Sequence, residues 1–176
     1  MTISKDNLSD QHQNLSVNEN VKPGDIFDSK YQIIDKLGAG NVGVVFRAKH
    51  LILDKPVAIK VLMELHATEN SDTNNSTRSS LMRFQREAKA AANLNHPNVV
   101  TIHDFGIFKD SIPYMVMDLI EGQTLSSYLK KNALPMHEVI PLLNQICDAL
   151  NHAHSKNVMH RDLKPGNIMI VNENGQ

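Results

Sequence analysis

The sequence predicts an α+β fold in which a β-rich first part gives way to a helical second part. Three observations carry this. Strand-like segments flank a glycine-rich turn at Gly38-Ala39-Gly40-Asn41-Val42-Gly43, and a short β-branched run follows at Val57-Ala58-Ile59-Lys60. From His137 to Lys156 the apolar residues Val139, Leu143, Ile146, Leu150 and Ala153 instead fall at i, i+4, i+7, i+11 and i+14. A spacing of two puts side chains on alternate faces of a strand, whereas this spacing collects them into one helical stripe.

Taken in chain order, Met1 to Asp25 is rich in Asn, Ser, Asp and Gln with scattered single hydrophobes and reads as a flexible tail. Tyr31-Gln32-Ile33-Ile34-Asp35-Lys36-Leu37 then leads through the glycines into Val44-Val45-Phe46-Arg47-Ala48, a pattern of two strands joined by a hairpin. Glycines let backbone N–H groups approach phosphate oxygens with no side chain in the way. Alone, the GxGxxG spacing serves equally as a dinucleotide fingerprint. The segment after Gly43 is β-branched rather than helical, so no helix N-terminus is available for a pyrophosphate, which favours a phosphate-covering hairpin.

Lys60 lies on the opposite face of its strand from Ile59. An isolated lysine there is an ordinary snorkelling edge residue. After a glycine-rich hairpin it also suits phosphate binding, with a carboxylate on a nearby helix to hold its ammonium. Glu87 is the candidate, on the helical stretch from Leu81 to Leu94, although at i,i+4 from Arg83 it is equally suited to a solvated pair. Between the two elements, His66 to Ser80 reads as a long polar loop. Thr124 to Lys131 reads as a short helix after the Glu121-Gly122 turn, closed near Pro135. On the longer helix that follows, Cys147 sits with the apolar residues and is expected to pack. His152 and His154, at i,i+2, point to different faces and do not suggest a metal site.

The densest chemistry lies at His160-Arg161-Asp162-Leu163-Lys164-Pro165-Gly166-Asn167. An aspartate, Asp162, can accept or orient the proton of an attacking hydroxyl, help typically worth about 10²–10⁴ in rate. The amide of Asn167 can offer a carbonyl oxygen to magnesium, which wants hard ligands. Lys164 can place a fixed positive charge on a transferring phosphate. HRD by itself is an ordinary polar tripeptide, but the eight-residue pattern is far more specific.

With these residues in hand, the sequence resembles the eukaryotic-like Ser/Thr protein kinases of bacteria from about Tyr31 to Val171. The resemblance implies a protein-kinase-like fold: an N-terminal lobe at about 31–117 with helix C, a hinge at about 118–122, and part of a helical C-terminal lobe at 123–176. It implies ATP and Mg2+ as cofactors and a protein serine or threonine as substrate, since Lys164 is typical of that branch. Leu37, Gly38, Ala39, Gly40, Asn41, Val42, Gly43 and Val45 would cover the nucleotide. Ala58 and Met169 would sandwich adenine with Val45, Met117 would be the gatekeeper, and the backbone of Asp118 and Ile120 would bind the base. Lys60 and Glu87 would orient ATP, Asp162 would be the base, Lys164 would steady the phosphate, and Asn167 would hold the metal.

The family's next strand would bring an Asp-Phe-Gly whose aspartate chelates magnesium; the sequence ends at Gln176 without it. A fragment of a longer kinase is therefore expected, with weak nucleotide binding and negligible transfer by these residues alone. The alternative is an inactive stump that binds nucleotide or a partner. A small-molecule phosphotransferase fits Leu163-Lys164-Pro165 less well. The long helix is expected to show an apolar face to solvent. A formal charge of −1 argues against nucleic acid as the main partner. A single cysteine and the lack of an apolar run of about 18 residues fit a soluble, cytoplasmic chain without a membrane segment.

Overall fold

The computed structural model describes residues 21–40, 43–62, 86, 88–109 and 112–171. Asn41, Val42, Glu87, the polar run 66–80 and residues 1–20 of the expected tail lie outside them. The chain divides into two compact units, Met1–Ala88 with Ile102–Leu119 and Lys89–Thr101 with Ile120–Gln176.

The first unit is a six-stranded antiparallel sheet of β1 (Ile26–Phe27), β2 (Tyr31–Gly40), β3 (Gly43–His50), β4 (Lys55–Leu62), β5 (Ile102–Phe108) and β6 (Ile112–Met117). Its spatial order is β1-β2-β3-β4-β6-β5. Alternation decides its faces. Val44, Phe46 and Ala48 of β3, Val57, Ile59 and Val61 of β4, and Tyr114 and Val116 of β6 are buried together with Phe27, Tyr31 and Ile33. Phe27 stacks on Phe108 with ring centroids 4.0 Å apart and meets Tyr114 edge-on at 4.9 Å, the latter an arrangement that aromatic quadrupoles favour. Burial, and then the charge of Asp28, push the Tyr114 phenol up to about 12.

The expected tail is too long at its C-terminal end. Val21 is buried in this core, the Gly24 amide donates to the Ile33 carbonyl at 2.9 Å, and the Lys22 amide donates to the Asp25 carboxylate at 2.9 Å. One apolar side chain followed by a Pro-Gly turn is enough to dock residues 21–25 on the sheet.

The second unit holds a two-stranded sheet of β7 (Gln123–Thr124) and β8 (Met169–Ile170), then α1 (Leu125–Leu129) and α2 (Met136–Ser155). Thr124 is the N-cap of α1, its hydroxyl oxygen accepting from the Ser127 amide at 3.1 Å. The helix is thus shorter than the expected 124–131 at both ends: Thr124 caps it rather than joining it, and it stops at Leu129 with Lys130 as its C-cap. α2 lies one residue earlier than expected and ends in a Schellman motif. Asn157 takes φ 59, its amide donates to the His154 carbonyl, and the Val158 amide donates to the Ala153 carbonyl.

Residues 86 and 88–92 are helical, within the stretch expected to run to Leu94. The loop after them meets α2: the Asn98 amide nitrogen donates to Gln145 Oε1 at 3.3 Å, and the His96 ring lies 5.3 Å from that of His152. Of the apolar stripe, only Ala153 is buried on α2; Leu143 is exposed and Val139, Ile146 and Leu150 are half-buried. Cys147 is exposed, against the expectation that it packs. It shares a solvent-facing line with Met136, Ile140 and Leu143, and an apolar helix face buries a thiol only where something covers that face.

Candidate active site

The first unit supplies a glycine hairpin and a lysine on the face of the sheet opposite the core. The β2–β3 turn closes on a Gly40↔Gly43 pair. Gly43 is required by packing: a Cβ there would run into the Val61 carbonyl of β4. Gly38 and Gly40 instead face open space, so their missing side chains leave the hairpin's approach clear rather than relieving a clash. β2 slips register between Ile33 and Asp35 and again between Lys36 and Gly38, and such bulges sharpen the local twist. Between the two slips Asp35 Oδ1 meets Arg47 Nε at 3.2 Å, bracing the base of the hairpin.

On β4 the predicted alternation is present: Ile59 is fully buried and Lys60 faces the other way. Lys60 stands in register with Val45 on β3 and Met115 on β6, and Ala58 with Arg47 and Met117. The non-core face of the sheet therefore carries Val45, Ala58 and Lys60 side by side, with Met117 at the end of β6. This is an apolar floor that carries Lys60, with Arg47 beside Ala58 on the same face and tied to Asp35. Leu37 is exposed on β2. Asp118 follows β6 directly and its carboxylate meets His103 Nε2 at 2.7 Å.

In the second unit the loop after α2 gathers three of the predicted residues. Lys164 Nζ lies 2.8 Å from Asp162 Oδ2. Asn167 donates through its side-chain nitrogen to the Asp162 carbonyl at 2.8 Å and to Oδ2 at 3.1 Å. These two hydrogen bonds, Lys164 first and Asn167 second, hold the Asp162 carboxyl below the usual carboxylate range. Both act on Oδ2, so among the described residues Oδ1 keeps its lone pairs for another donor. Asn167 likewise turns its nitrogen to Asp162, which leaves its carbonyl oxygen to act as a hard ligand.

Local backbone shapes this loop. Arg161 takes φ 59, and the Asp162 amide donates to the His160 carbonyl at 2.8 Å, folding the chain tightly just before the aspartate. Pro165–Asn167 forms a single 3₁₀ turn in which the Asn167 amide donates to the Lys164 carbonyl at 2.9 Å. The chain then enters β8, which carries the predicted Met169, while Ile120 lies just before β7 in the same unit.

Two features of the site were not foreseen, the Asp35–Arg47 brace and the His103–Asp118 pair. Strand alternation could have placed the first on one face. The second depends on a bulge that the sequence does not signal. Among the described residues no group of three or more His, Cys, Asp or Glu is arranged to hold a metal. No helix among them is long and apolar enough to cross a membrane.

Residues 31–176 match the model of the protein kinase domain family. The chain is 40% identical over 149 residues to the serine/threonine-protein kinase PrkC of Bacillus subtilis, covering 84% of this chain and 22% of that protein. It is 42% identical over 143 residues to the serine/threonine-protein kinase pkn3 of Myxococcus xanthus, covering 80% and 24%. It thus spans less than a quarter of each of these relatives. Among solved structures, the PknI kinase domain of Mycobacterium tuberculosis superposes with a TM-score of 0.70 at 28% identity, over 85% of this chain and 57% of that one.

Proposed function

Starting from the fact that this chain belongs to the protein kinase domain family, we propose that it carries part of an ATP-dependent protein kinase acting on serine and threonine hydroxyls in the cytoplasm. The observation that carries the reading is the cluster of Asp162, Lys164 and Asn167 on one loop. Its relatives' names as serine/threonine-protein kinases support the substrate class.

Under this reading each side chain has a separate task. Asp162 stays ionised at neutral pH and takes the proton of the serine or threonine hydroxyl through Oδ1. As that oxygen bonds to the γ-phosphorus, the bond to the β–γ bridging oxygen breaks and ADP leaves. Lys164 already sits against Asp162, so its charge is in place before the phosphate oxygens accumulate theirs. Asn167 would hold magnesium through its side-chain oxygen. When bound, the ion neutralises phosphate charge.

In the first unit, Lys60 pairs with the α- and β-phosphates, and Glu87 is proposed to hold its ammonium. The backbone from Leu37 to Val45 covers the phosphates: Gly38, Ala39, Gly40, Asn41, Val42 and Gly43. Val45 and Ala58 are proposed to contact adenine, with Met117 as gatekeeper, and Met169 of the second unit is a further proposed contact. The backbones of Asp118 and Ile120 take the edge of the base.

The test is incubation of the purified chain with magnesium, γ-labelled ATP and a basic protein substrate, beside an Asp162→Asn control. Label on serine and threonine that the control abolishes supports the reading. Label that persists in the control overturns the role of Asp162. A folded chain that transfers nothing yet binds ATP favours the alternative, a nucleotide-binding unit without transfer.

A further inference from the structure

We infer that His103 is a positioning residue for nucleotide recognition, holding the main chain after β6 in place through the side chain of Asp118. The inference rests on the proposed role of the Asp118 backbone in binding adenine. His103 occupies the register slip between Ile102 and Asp104, where Ile102 pairs with Met117 and Asp104 with Val116. It is therefore the extra residue of a β-bulge on β5, one of the two edge strands of the sheet. A bulge re-aims one side chain while the ladder continues on either side, and bulges collect beside functional sites for that reason. Here the ring is delivered to Asp118, the first residue beyond the last rung of β6, at 2.7 Å.

Beyond Met117 the β5–β6 and β4–β6 pairings end. A side-chain tie at this point extends the hold of the sheet by one residue, to the residue whose backbone is to meet the base. Both side chains are about 40% exposed, at 44% and 40%. Exposed pairs of this kind add little to global stability. The tie therefore acts on local position, and its loss should show in base recognition before it shows in folding.

The experiment measures binding of magnesium-ATP and of magnesium-tripolyphosphate to the unaltered chain and to two variants, with thermal unfolding of each. His103→Phe keeps a planar ring and removes the nitrogen; His103→Gln returns a donor at similar reach. The expected result is ATP binding about three- to fivefold weaker in His103→Phe. Tripolyphosphate binding and the unfolding midpoint should be unchanged, and His103→Gln should restore ATP binding. ATP binding equal in His103→Phe and the unaltered chain overturns the inference and leaves the nucleotide reading intact. Equal weakening for both ligands points to general damage and also overturns it. An unaltered chain that binds no ATP overturns the nucleotide reading and this inference with it.

Discussion

Asn167 grips Asp162 at two points, its side-chain nitrogen donating to the main-chain carbonyl at 2.8 Å and to Oδ2 at 3.1 Å. The proposed metal ligand and the proposed base are thus one mechanical unit. Asn167→Ala removes both ties together with the oxygen proposed for magnesium. Losing a metal ligand forfeits several kcal/mol of transition-state stabilisation, so under the proposed function phosphoryl transfer should fall by at least about a hundredfold. Steady-state rates across a magnesium titration check this; a rate within a few-fold of the unaltered enzyme would remove Asn167 from the metal site.

Lys164 is the main cause of the lowered Asp162 carboxyl, with Asn167 second. Lys164→Met should raise that carboxyl toward its ordinary value of about 3.9. The sign follows from linkage. A carboxyl lowered in the folded state adds stability that is present above the unfolded value and is lost as pH falls through the folded one. Carboxylate NMR titration should therefore find the Asp162 midpoint higher in Lys164→Met. An unmoved midpoint would mean that the ion pair does not form in solution.

Gly43 and Gly40 flank the same turn but should respond differently to alanine. At Gly43 the new methyl meets the Val61 carbonyl, a backbone atom that cannot step aside; at Gly40 nothing lies within 4 Å. Gly43→Ala should cost about 1–3 kcal/mol, whereas Gly40→Ala should change stability by less than about 0.5 kcal/mol. Urea unfolding of the two variants decides it, and equal effects would place Gly43 away from β4.

Phe27 is fully buried between Phe108 and Tyr114. Its truncation in Phe27→Ala should destabilise the chain by about 3–5 kcal/mol, through lost transfer energy and the cavity left behind. Chemical unfolding followed by far-ultraviolet circular dichroism measures this, and a loss below about 1 kcal/mol would show that β1 is not seated in the core.

Cys147 is exposed on α2. A thiol reagent should label the native chain at a rate close to that of the unfolded chain, because exposure as well as thiolate character governs thiol reactivity. Labelling that waits for denaturant would show that the Met136, Ile140, Leu143 and Cys147 face is covered in solution.

The placement of the candidate residues is legible in the sequence wherever spacing and residue type act together. The alternation around Ile59 places Lys60 on the non-core face, and the eight residues from His160 bring Asp162, Lys164 and Asn167 onto one loop. Val21 reads as tail in the sequence because a lone hydrophobe in polar surroundings carries no periodicity, and only the Pro-Gly turn after it folds it back. The His103–Asp118 pair was illegible for a different reason. Local pattern gives the period of a strand but not the rung at which its register slips. Cys147 was misplaced because an amphipathic stripe shows which side of a helix is apolar and not whether a neighbour covers it.

The small β7–β8 ladder has a wider consequence than its size suggests. It pairs Thr124 with Met169, and the Leu125 amide donates to the Ile168 carbonyl at 2.8 Å beside it. Everything from α1 to the Asp162 loop is thereby drawn into a closed ring of chain. Gly122 guards the clasp, since a side chain there would strike the Ile170 carbonyl. A disturbance at the clasp cannot stay local: it reaches the cap of α1 on one arm and, two residues from Met169 on the other, the turn that aims Asn167.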